Sequence, residues 1–166
     1  MEQSLFVTPI FKQIPILLID ASGSTVGKFN QHTVLDQIKT VIKGLPEDQF
    51  RIIWWNSDQQ KPASADDKFT NGICKLSFVV KKNTIDQTFL FIKPSIKNYC
   101  LTFPHLGFES IPDEWISKLD QTKVYFITDG EIGYGYPTCK MFIQKKHRDI
   151  LVKKYLNCFT VRLATK

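Results

Sequence analysis

Two short apolar runs, Ile14–Ile19 (IPILLI) and Lys123–Thr128 (KVYFIT), each give way at once to an aspartate, Asp20 and Asp129, in a polar turn. Apolar runs of this length without alternation predict strands buried on both faces, as in a parallel sheet. In such sheets ligands bind outside the carboxyl ends of the strands, where the strand order reverses. Two acids at two strand ends are therefore expected to share one crevice.

The chain between and around these runs reads mostly as alternating strand and helix. Val34, Leu35, Ile38, Val41, Ile42 and Leu45 recur at helical spacing, with Thr33 or Asn30 able to cap the start and Gly44 and Pro46 to stop the helix. Gln49–Ser57 (QFRIIWWNS) is a second strand of the two-sided kind, which makes a strand–helix–strand unit with Trp54 and Trp55 in its core. After a polar loop at Asp58–Lys68, Lys75–Lys93 reads as two strands around a turn at Asn83–Asp86, a hairpin at the sheet edge. Pro104–Leu119 reads as one helix or two short ones split at Pro112. Cys139–Leu156 reads as a helix with Met141, Phe142, Ile150, Leu151 and Tyr155 on an inner face, and Cys158–Ala164 as a half-buried strand facing inward with Phe159, Val161 and Leu163. This order predicts an α/β fold: a Rossmann-like three-layer sandwich, its sheet predominantly parallel with an antiparallel edge or hairpin, and helices on both faces.

With 166 residues, 43% of them apolar, the chain is expected to form one domain, 1–166. The cysteines Cys74, Cys100, Cys139 and Cys158 form no C-x-x-C pair, so they read as reduced core thiols of a cytoplasmic protein. No apolar run reaches the length of a membrane span, and no signal-peptide pattern opens the chain. A net charge of +6 favours acidic partners but is modest for a nucleic-acid binder. The basic run Lys145–Lys154 carries Ile150, Leu151 and Val152 at helical spacing and reads as a solvated helix face. His32, His105 and His147 are separated, without metal-ligand spacing, and read as surface or cap residues.

The turn after the first strand, DASGSTVGKF, is not a phosphate-binding P-loop: with Gly27-Lys28 as the GK pair, the leading glycine falls on Ser22 and the final Ser/Thr on Phe29, which cannot ligate Mg²⁺. Asp20, Ser22 and Ser24 instead place oxygen ligands on alternate residues of one tight loop. Hard cations such as Mg²⁺ take oxygen donors and keep several waters, so one or two carboxylates with hydroxyls suffice. The same residue types also serve as turn formers and helix caps.

This D-x-S-x-S loop after a buried strand, together with I-T-D-G ending a later one, resembles the metal-ion-dependent adhesion site of von Willebrand factor type A domains. The resemblance implies Mg²⁺ or Mn²⁺ held by Asp20, Ser22 and Ser24 from a first loop, a threonine from a second and Asp129 from a third. Thr102 in CLTFPHLGFESIPDEW is the candidate threonine. Cys100 and Leu101 stand where the family usually has Gly-Gly, and Ser110 is the alternative. Glu131 lies near Asp129 in sequence and reads as an outer or solvent-facing group. The family fold continues with a further helix, strand and terminal helix, so the chain is expected to be the N-terminal part of a longer protein or a shortened version.

The resemblance further implies a protein-interaction module, in which an Asp or Glu of a partner protein completes the metal's shell. An enzyme reading needs groups the motifs lack. Ser22 stands where a dehalogenase-type phosphatase carries its second Asp, the serine-hydrolase elbow G-x-S-x-G is absent, and no His or Lys is tied by motif to Ser22 or Ser24 as a base. Mg²⁺-dependent phosphoryl transfer or hydrolysis, with Lys28 as a participant, and a metal-free structural scaffold are the alternatives.

Overall fold

A computed structural model describes residues 13–20, 33–55, 73–91, 104–117, 119, 121–128 and 145–163. The run Ile16–Asp20 forms β1, and all five of its residues are buried. Thr33–Gly44 forms α1. Its positions 38 and 42 are fully buried and Leu35, Val41 and Leu45 pack beside them, one apolar stripe at helical spacing. Asp36 in the first turn and Lys43 in the last complement the helix dipole. Leu45 N–H closes the end on Ile42 O at 3.1 Å, just before Pro46.

Gln49–Trp55 forms β2 and lies parallel to β1, from Ile16 opposite Arg51 to Asp20 opposite Trp55. Thr122–Thr128 forms β5, parallel to β1 on its other side, and Leu156–Arg162 forms β6, parallel to β5. Ile73–Lys75 (β3) and Val80–Lys81 (β4) both pair antiparallel with β2. Among the described residues the sheet thus runs β3-β2-β1-β5-β6 with β4 also on β2. The fold is α/β with a mostly parallel sheet.

Because β1 is central, its alternate residues enter two separate cores. Leu17 and Ile19 join Ile38 and Ile42 of α1, and Ile16 and Leu18 join Phe108 and Ile111. Each such side chain, fully withdrawn from water, contributes about 1.5–3 kcal/mol. Trp54 enters the first core and Trp55 the second, so both tryptophans are packing residues, as the sequence predicts. Cys74 is buried and Cys158 half-buried, and both are free thiols; Cys100 and Cys139 lie outside the described residues.

The hairpin expected over Lys75–Lys93 does not form. After β4 the chain turns through a 3₁₀ segment, Lys82–Thr84, into helix α2, Ile85–Phe91. A short apolar run is compatible with either element, and here contacts distant in sequence decide. Residues 85, 88 and 89 are buried at helical spacing, and Phe89 meets the Trp54 ring edge-on, centroids 4.9 Å apart. Thr88 Oγ1 donates to Thr84 O at 2.9 Å, and β3 and β4 already occupy the side of β2 that a hairpin would use.

Pro104–Glu109 forms α3, followed by a 3₁₀ turn at Asp113–Trp115, the two pieces expected around Pro112. His105, read as a surface or cap residue, lies half-buried in the first turn of α3. The last helix, α4, is Lys145–Lys153, and it stops short of the expected Leu156. Tyr155 takes a left-handed conformation, φ 55°, and stays 49% exposed instead of facing inward; its carbonyl accepts from Thr122 N–H at 3.1 Å, which starts β6 beside β5. Residues 139–144 lie outside the described residues. Arg148, Asp149 and Lys153 form the expected solvated face, with Ile150 and Leu151 turned to the second core. Lys154 leaves that face: its Nζ donates to Glu109 O at 2.8 Å and Ile111 O at 2.9 Å, capping the end of α3, and burial holds its ammonium below the ordinary lysine range.

Both faces of β6 meet core. Leu156 and Cys158 pack on the second cluster and Val161 and Leu163 on the first, whereas Phe159, expected to point inward, is 43% exposed. Among the described residues, no helix is long and apolar enough to cross a membrane.

Candidate functional site

β1 has β2 on one side and β5 on the other, so the strand order reverses at β1 and the carboxyl ends of β1, β2 and β5 point the same way. Asp20, the last residue of β1, is fully buried at this edge. Strand alternation carries it to the side of Ile16 and Leu18, and carries Thr128 to the side of Val124 and Phe126. Thr128, the last residue of β5 and also buried, donates its hydroxyl to Asp20 Oδ2 at 2.7 Å. Thr128 O in turn accepts from Leu163 N–H at 2.8 Å, which ties the end of β6 to the same point.

Aromatic rings of the second core flank this acid. Trp55, opposite Asp20 in the ladder, stacks on Phe126 with centroids 5.6 Å apart, and Phe108 of α3 lies 5.2 Å from Phe126. A carboxylate withdrawn from water in such surroundings is costly unless hydrogen bonds, a counter-charge or a cation compensate it. The Thr128 hydroxyl is one such compensation, and the two described side chains that meet here, Asp20 and Thr128, both present oxygen, the donor a hard cation takes.

Of the residues the sequence singles out, Asp20 is described. Ser22, Ser24, Thr102 and Asp129 lie outside the described residues, as do Lys28, His32 and Glu131. Asp129 directly follows Thr128, and Ser22 and Ser24 follow Asp20 by two and four positions. Among the described residues no three His, Cys, Asp or Glu side chains gather as metal ligands.

Ser110, the alternative to Thr102, is not part of this corner. It follows the end of α3, and its hydroxyl donates to Gly107 O at 2.7 Å. Its neighbours Glu109 and Ile111 are held by Lys154, next to the residue whose carbonyl receives the first N–H of β5. Those bonds place it toward the strand starts, the opposite end of the sheet from Asp20. Thr128 is the residue that sequence reasoning passed over. Its signal was the threonine of I-T-D-G, two positions beyond Phe126 and so on the same face of β5.

A concave surface lies at the strand starts, lined by Gln13, Pro15, Pro46, Glu47, Asp48 and Lys123. There Tyr125 Oη donates to both Glu47 oxygens, at 2.6 and 2.9 Å, and Lys123 Nζ lies 3.3 Å from Glu47 Oε2. The Glu47 carboxylate is thus engaged within the protein, and the cluster stands at the far end of the sheet from the switch point.

No family model matches the chain. It is 47% identical over 136 residues to an uncharacterized protein of Acanthamoeba polyphaga mimivirus, a match that takes in 81% of this chain. The chain spans only 14% of that relative's length. Among solved structures it is similar to proximal thread matrix protein 1 from the mussel byssus, with a TM-score of 0.51 and 16% identity, covering 90% of this chain and 37% of that one. At that identity the likeness is one of fold.

Proposed function

We propose that this chain is a divalent-metal-dependent protein-interaction module of the von Willebrand factor type A kind, built as a three-layer sandwich. Asp20, Ser22, Ser24, Thr102 and Asp129 would hold Mg²⁺ or Mn²⁺. A bound ion would offer a Lewis-acidic position to an Asp or Glu of a partner protein. The observation that carries this reading is the buried Asp20 carboxylate at the carboxyl end of β1, hydrogen-bonded to the residue that immediately precedes Asp129. That contact supports the two strand ends contributing to one site. The sharing of sequence with a small part of a much longer viral protein supports reading the chain as a module.

The test has two parts. Titration calorimetry with Mn²⁺ should show binding by the wild type and its loss in Asp20→Asn, with circular dichroism confirming that the variant folds. Retention of proteins from a native lysate should then depend on Mg²⁺ over EDTA and vanish in the same variant. Partners held equally with EDTA would overturn the metal-dependent module in favour of a scaffold. Mg²⁺-dependent release of phosphate from a generic aryl phosphate would overturn it in favour of an enzyme.

A further inference from the structure

Resting on that reading, we infer that Thr128 is a positioning residue of the site: its hydroxyl sets the rotation of the Asp20 carboxylate toward the cation. The terminal torsion of an aspartate is broad and roughly two-fold, so a carboxylate without an outer partner turns freely between orientations. Here Thr128 Oγ1 meets Asp20 Oδ2 at 2.7 Å, within the short range of hydroxyl bonds to charged oxygen.

The donor is itself held. Thr128 is β-branched, with a restricted first torsion; its backbone runs in the β5 ladder, and its carbonyl is fixed by Leu163 N–H at 2.8 Å. The bond crosses from β5 to β1 at the sheet's switch point, joining residues 108 positions apart. Hydrogen bonds to a ligating carboxylate orient it for the metal, and their removal typically weakens metal binding about 10–100-fold.

Thr128→Val keeps the shape and removes the donor, and Thr128→Ser keeps the donor and loses the methyl. Mn²⁺ titration should show binding about 10–100-fold weaker in Thr128→Val and close to wild type in Thr128→Ser. The rise in melting temperature caused by a fixed Mn²⁺ concentration, read against each variant's own metal-free melting, separates positioning from a general loss of stability. That increment should shrink in Thr128→Val and return in Thr128→Ser. If Thr128→Val does not fold, Thr128→Ala is read in the same way. Equal Mn²⁺ affinity in wild type and Thr128→Val overturns the inference and leaves the metal site standing, as does a Thr128→Ser variant as weak as Thr128→Val. A wild type that binds no Mn²⁺ overturns both.

Discussion

Gly107 of α3 lies so close to Trp55 of β2 that a Cβ built on it would stand 2.9 Å from Trp55 Cδ1 and 2.8 Å from Leu18 Cδ1. The absent side chain lets the helix backbone rest directly on the sheet beside the strand that ends in Asp20. Both neighbours are fully buried, so neither can swing away without disturbing the stack of Trp55 on Phe126. Gly107→Ala is expected to destabilise the protein by about 1–3 kcal/mol, the usual cost of overpacking. Urea unfolding measures it; an unchanged midpoint would show that α3 slides to accommodate the methyl.

The Tyr125 phenol makes stability depend on pH in the alkaline range. Burial, followed by the hydrogen bond and charge of Glu47, raises the Tyr125 phenol above its ordinary value. A group raised in the folded state contributes stability that is complete below its unfolded pKa, about 10 for tyrosine, and is lost as pH rises through the folded value. At neutral pH, Tyr125→Phe should cost about 1.5–3 kcal/mol, the range for a hydrogen bond to a charged group. That difference should hold from neutrality to roughly pH 10 and narrow above it. Urea melts of the two proteins across this range decide, and a difference that grows with pH would reverse the assignment.

Tyr155 sits at φ 55° with half its side chain in water. The left-handed region costs an ordinary residue about 1–2 kcal/mol. Glycine avoids that strain but gives up roughly 0.5–1 kcal/mol through its greater freedom when unfolded. Tyr155→Gly is therefore expected to gain up to about 1.5 kcal/mol, and Tyr155→Val, β-branched, to lose stability. Equal urea midpoints for the two variants would show that this turn bears no strain.

By itself the sequence determined β1, β2, β5 and α1, because each is written in a local pattern: two-sided apolar runs for the strands, and for α1 a stripe at 35, 38, 42 and 45 closed by Gly44 and Pro46. It also placed Asp20 at the end of a buried strand, since an acid after an apolar run has nowhere else to go. Only the tertiary structure decided that Ile85–Phe91 is helical, because burial against Trp54, not periodicity, separates helix from strand in so short a run. It alone decided where α4 yields to β6, since a tyrosine carries no local signal for a left-handed turn. The pairing of Thr128 with Asp20 belongs to it as well: that bond exists because the β1–β5 register aligns two strand ends 108 residues apart, and a register between distant strands is set by packing, which no local pattern contains.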